Sequence, residues 1–252
     1  VVFAASNFPL AFSTAGGDTA SALAGGNPVI VKAHRAHPGT SALVGSAIME
    51  AAQKTNMPDG VFSLLHGSGK VVGQSLISHS GVKAAGFTGS QKAGRILFDL
   101  ANQRKDPIPF FAEMGSVNPV LLLPNSLNTK TAEMLSNSIT MGAGQFCTNP
   151  GLLITLENDL LEQFIIDLVS ALEEIDPGVM LTEKICKSYY NDLDLSLSNQ
   201  DVKVESKLTD NNGLNNAASV LVSVTGESFL KEPKLADEVF GPYSMIVKCK
   251  NE

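Results

Sequence analysis

Apolar positions along the first hundred residues fall into two alternating rhythms. Short runs rich in β-branched side chains, "VVFAA" at 1–5, "PVIVKA" at 28–33, "GVFSLLHG" at 60–67 and "VKAAGFTG" at 82–89, have the length and make-up of buried strands. Between them, small and apolar residues recur at helical spacing. They predict helices up to about Ala24, over Thr40–Lys54, briefly from Lys70, and over Lys92–Gln103. Gly, Pro and Asn punctuate the joints. Strands alternating with helices predict a parallel sheet with helices on its faces, a class that takes ligands at the carboxyl ends of its strands.

After "DPIPFFAEMGSVNPVLLLP" the rhythm changes. Two strand-like runs lead to a helix over about Thr129–Gly144, then "LLITL" and a second helix over Asp159–Glu174. Residues 190–215, rich in Asn, Asp and Ser, read as loop, and "ASVLVSV" and "YSMIVKC" read as strands. The change of pattern places a boundary near Glu113, with one α/β domain over residues 1–112 and a second over 113–252. No internal repeat is visible.

Composition narrows the classes. With 252 residues, 44% hydrophobic, 17% charged and a net charge of −7, the chain reads as soluble, globular and mildly acidic. A nucleic-acid partner would want a basic face and is not expected. No apolar run approaches the roughly 20 residues of a membrane span. The chain opens without Met in an apparent core strand, which predicts missing upstream sequence. Three widely spaced cysteines, Cys147, Cys186 and Cys249, suit neither a disulfide framework nor a zinc site, so a reducing cytoplasm is expected. His34 and His37 are three apart, but Pro38 follows and no third ligand is evident, so no metal is expected.

Several motifs carry candidate chemistry. "GSGKVVG" at 67–73 lacks both the upstream Gly and the Ser/Thr after Lys that a Walker A loop requires; it is equally a plain strand-to-helix turn. "GFTGS" at 86–90 follows a strand and opens a helix, so Ser90 either meets a phosphate there or simply caps the helix. In "GAGQFCTNPG" at 142–151, Cys147 sits among small residues where the chain can turn, as an ordinary thiol or a nucleophile. Acyl chemistry on a thiol needs a nucleophile, an oxyanion donor and a base for hydrolysis, and Cys147, Asn7 and Glu113 offer these three roles. Each alone is more often structural.

Taken in order, "SNFPL", "GNPVIVK", "PDGVFSLLHG", "GFTGS", "AEMG…NP", "GQFC" and "EVFGP" resemble the aldehyde dehydrogenase superfamily from residue 1 to about 247. The long glycine-bearing stretch after "NFPL" and "AEMGSVNPVLLLP" look nearest to the 2-oxoglutarate semialdehyde (2,5-dioxovalerate) dehydrogenase branch. The resemblance implies a Rossmann-like cofactor domain followed by an α/β catalytic domain. It makes Cys147 the nucleophile, with the Asn7 amide and the Cys147 backbone N–H as oxyanion donors worth about 3–4 kcal/mol each by analogy. Glu113 becomes the base that hydrolyses the thioester. Relatives that pass the acyl group to coenzyme A generally lack that glutamate, so a free acid is the expected product. Lys32 would hold the adenosine ribose, Ser90 the pyrophosphate, and Glu238 and Phe240 the nicotinamide end. NAD-preferring relatives commonly carry a glutamate three residues after the lysine. Here Arg35 stands there beside His34, which favours NADP over the alternative, NAD. "GSV" after Met114 departs from the usual G-G-K. The partners implied are a small-molecule aldehyde and, in the full-length protein, further copies in a homo-oligomer. The alternative reading is a non-catalytic or truncated homologue that keeps the fold for binding or structural use.

Overall fold

Four apolar runs of the first hundred residues become strands of one sheet. The computed structural model describes residues 1–3, 12–208 and 213–251, so Asn7 lies outside the described residues. In chain order come β1 (Val2–Phe3), α1 (Phe12–Ala15), α2 (Gly17–Ala24), β2 (Val29–Lys32), α3 (Pro38–Lys54) and β3 (Phe62–Leu65). A π-helical turn over Gly69–Gly73 runs into α4 (Gln74–Ser78), followed by β4 (Ala85–Gly89), α5 (Gln91–Asn102) and β5 (Phe110–Met114). The spatial order is β3-β2-β1-β4-β5, all parallel. Adjacent residues serve opposite faces: Val2 packs with Val29, Val31 and Phe62, while Phe3 packs with Ile77, Phe87 and Leu97. A parallel sheet buried on both faces explains why these strands read as continuous apolar runs.

The chain divides into two compact units, Val1–Gly115 and Ser116–Glu252. Glu113, read from the sequence as the first residue of the second domain, lies on β5 and pairs with Thr88 of β4. It therefore belongs to the first unit.

The second unit holds β6 (Pro119–Leu122), α6 (Thr129–Thr140), β7 (Leu152–Leu156), α7 (Leu161–Glu173), β8 (Gly178–Val179) and α8 (Glu183–Leu197). It continues with β9 (Lys203–Val204), β10 (Asn216–Ala217), β11 (Val220–Thr225), α9 (Gly226–Lys231) and β12 (Tyr243–Cys249). Its main sheet runs β6-β7-β12-β11-β9, parallel except for β9, and β8 pairs antiparallel with β10. Leu153, Leu221 and Ile246 face α6 and α7 through Ile139, Phe164 and Leu168. Their neighbours Leu152, Val222 and Met245 pack on the opposite cluster with Tyr189 and Leu193 of α8.

Two expectations are corrected. The loop expected over 190–215 is helical to Leu197, because Cys186, Tyr189 and Leu193 form a buried stripe and Thr182 Oγ1 caps the helix by accepting the Ile185 N–H. The helix expected to reach Gly144 ends at Thr140. Gly142, Ala143 and Gly144 then take φ values of 57°, 56° and 66°, which reverse the chain.

Candidate functional site

Three expected cofactor and base residues lie at the carboxyl ends of first-unit strands. Lys32 ends β2, Ser90 follows β4, and Glu113 is the penultimate residue of β5. Strand order reverses between β1 and β4, the crevice position where doubly wound sheets take ligands. The Lys32 side chain is buried, and that burial, followed by the nearby Arg35 charge, lowers its pKa. Among the described residues no carboxylate forms an ion pair with it. Arg35 is exposed. His34 turns Nδ1 onto the Ala36 N–H at 3.1 Å, and its ring lies 6.0 Å from that of His37. Ser90 Oγ accepts the Ala93 N–H at 3.4 Å, so the serine does cap α5. Glu113 is exposed on the same face of edge strand β5 as Phe111.

In the second unit, loops at the amino ends of adjacent strands come together. Cys147 precedes β7, and Glu238 and Phe240 precede β12. Phe146, Asn149, Glu238, Phe240 and Ser116 line a small cleft, and exposed Cys147 is the next residue after Phe146. The Cys147 loop is held along its length. Buried Gln145 donates to Gly142 O at 2.8 Å and accepts the Leu181 N–H at 2.9 Å. The Asn149 N–H donates to Phe146 O at 3.1 Å. Asn118 Nδ2 donates to Cys147 O at 2.6 Å and to Asn149 O at 2.9 Å. Asn149 Nδ2 donates to Gly241 O at 3.0 Å, and Ser244 Oγ donates to Pro150 O at 2.7 Å. A Cβ on Gly144 would lie 2.1 Å from the Gly241 carbonyl carbon, so the two loops cross backbone on backbone.

Glu238 accepts the Ser116 N–H at 3.3 Å. Burial raises its pKa above the usual carboxylate range, the Ser116 bond opposes that shift, and Asp192 adds to it.

Sequence reasoning missed Asn118, Asn149 and Gln145 as supports of the cysteine loop. The signals present were "NP" at 118–119 and 149–150 and the Gln of "GQFC".

The fold is α/β with a Rossmann-like first sheet. Compared with known proteins, the chain matches the aldehyde dehydrogenase family model over residues 1–252, and it belongs to that family. It is 50% identical over 258 residues to alpha-ketoglutaric semialdehyde dehydrogenase 2 of Azospirillum brasilense, covering 100% of this chain and 48% of that protein. It is 43% identical over 255 residues to the alpha-ketoglutaric semialdehyde dehydrogenase of Acinetobacter baylyi, again covering 100% and 48%. The chain thus spans about half the length of these relatives. Among solved structures, the glyceraldehyde-3-phosphate dehydrogenase GapN of Methanocaldococcus jannaschii, complexed with NADP, aligns with a TM-score of 0.80 at 22% identity, covering 98% of this chain and 54% of that one. An NAD-dependent benzaldehyde dehydrogenase from Corynebacterium glutamicum aligns with a TM-score of 0.81 at 22% identity, covering 99% and 53%. At that identity the likeness is one of fold. No helix among the described residues is long and apolar enough to cross a membrane.

Proposed function

We propose that the protein carrying this chain oxidises an aldehyde to a carboxylic acid with NADP, with 2-oxoglutarate semialdehyde as substrate and 2-oxoglutarate as product. The observation that carries the reading is an exposed Cys147 on a loop whose backbone is tied down on both sides of it. Names of the similar proteins from Azospirillum and Acinetobacter support the substrate.

The first unit fits a dinucleotide phosphate. A buried ammonium at the end of β2, with no carboxylate partner among the described residues, suits ribose hydroxyl and phosphate oxygens, and Arg35 three residues on adds a guanidinium for a 2′-phosphate. Lys32, Arg35, Ser90, Glu238 and Phe240 would hold the cofactor, with His34 bracing the turn at Arg35 by accepting the Ala36 N–H. Bound there, the nicotinamide supplies a hydride acceptor.

The protein's own groups do the rest. The Cys147 thiolate adds to the aldehyde carbon. In the planar Phe146–Cys147 peptide the carbonyl is turned onto the Asn149 N–H, so the Cys147 N–H points the opposite way, as an oxyanion donor must be free to do. Asn7 is proposed as the second donor. Glu113 takes a proton from water as that water attacks the thioester, which releases the acid and returns the thiolate.

The test is NADPH formation from 2-oxoglutarate semialdehyde, followed by absorbance in this chain and in Cys147→Ala. Turnover lost in the variant supports the reading, and equal turnover in both removes Cys147 as nucleophile. Absence of turnover in both would favour the alternative, a non-catalytic or truncated homologue, since the chain spans about half the length of its relatives.

A further inference from the structure

We infer that Asn118 is a positioning residue for Cys147, a role resting on the reading of Cys147 as nucleophile. Asn118 sits just before β6 with φ of 40°, a backbone conformation asparagine tolerates better than most residues. Both ends of its carboxamide are used, in three of the four hydrogen bonds it can make. The two N–H bonds go to Cys147 O and Asn149 O, and Oδ1 accepts the Ser116 hydroxyl at 2.8 Å.

The consequence for the thiol is geometric. Two peptide planes flank Cys147, and each is fixed by its carbonyl. Asn118 holds the Cys147–Thr148 plane directly. The Phe146–Cys147 plane is held by the Asn149 N–H, and Asn149 in turn is anchored through its own carbonyl by Asn118. With both planes fixed, the sulfur retains only rotation about χ1. The same network continues to Glu238, whose carboxylate accepts the backbone N–H of Ser116. One side chain therefore ties the nucleophile's loop to the segment bonded to Glu238. An aspartate would keep the shape but set one acceptor oxygen against both carbonyls, and an alanine would leave both carbonyls unheld.

The experiment compares two reactions of the same sulfur in the chain itself, read by mass spectrometry. Iodoacetamide needs only an exposed thiolate. p-Nitrophenyl acetate needs a thiolate aligned on a carbonyl whose oxyanion is then stabilised; the S–C bond forms as the C–O bond breaks and p-nitrophenolate leaves. In the wild type, Cys147 should show a higher acylation-to-alkylation ratio than Cys249. Equal ratios would sink the nucleophile reading itself. Given the higher ratio, Asn118→Ala and Asn118→Asp should each cut it about tenfold to a hundredfold, the scale of an ångström-sized misplacement. Cys147 alkylation should be retained and buried Cys186 should stay protected. An unchanged ratio in the variants overturns the inference. So does alkylation of Cys186 in both variants, because Asn118 would then support the fold at large rather than the thiol.

Discussion

The two sheets offer their candidate residues at opposite ends of their strands. In the first unit Lys32, Ser90 and Glu113 lie at or just past the carboxyl ends of β2, β4 and β5. In the second, Cys147, Glu238 and Phe240 lie in loops entering the amino ends of β7 and β12. The difference follows from what each end exposes. Beyond the carboxyl ends, strands turn into helices, and free N–H groups face outward for an anion. At the amino ends the incoming loops present carbonyls, which asparagine and serine side chains tie down. On the proposed function, one end would receive charge and the other would hold a reactive group still.

The sharpest way to break the second arrangement is Gly144→Ala. A left-handed backbone costs about 1–2 kcal/mol in a residue with a Cβ, and overpacking against Gly241 adds about 1–3 kcal/mol. The thermal midpoint should fall by about 4–20 °C, and calorimetry reads it. A fall of only a degree or two would mean the loops can part without consequence.

The anion-receiving end is probed by Arg35→Glu. NADPH affinity should weaken about tenfold or more, since charge-assisted hydrogen bonds contribute about 1.5–3 kcal/mol, while NADH affinity holds or improves. Fluorescence titration measures both, and parallel changes for the two cofactors would take Arg35 away from the 2′-phosphate.

The smallest effect is expected at Glu238. Its folded pKa is raised by burial, so the folded state holds the proton to higher pH than the unfolded chain. The stability this lends is full below the ordinary value of 4.5 and is lost as pH rises through the raised one. Glu238→Gln should therefore match the wild type in acid and exceed it in thermal stability above that window. Parallel melting curves across pH would show that the carboxylate is not strained.

Legibility varied with how local the cause was. β2, β4, β7, β11 and β12 are buried on both faces, so their apolar runs announce themselves. The α8 stripe of Cys186, Tyr189 and Leu193 was diluted by exposed Asn191 and Asp194 and by half-buried Asp192. The end of α6 was obscured because Ala143, a good helix former, is carried into the left-handed region between two glycines. Cys147 stood out by its small neighbours. Asn118 did not, because its partners are backbone carbonyls 29 and 31 residues away, and a carbonyl has no letter in the sequence.

Chain order gives the two sheets different histories during synthesis. Of the five described strands of the first sheet, β1 precedes β2 and β4 and sits between them, so these strands can add outward from it. Among the five described strands of the second, β12 follows the other four in sequence and is the middle one in space. Until Tyr243–Cys249 leaves the ribosome, β6-β7 and β11-β9 are separate pieces with facing edges unpaired. At about 5–20 residues per second, β7 waits several seconds for its partner. That interval is when a chaperone has most to shield and when edge-to-edge association competes with folding.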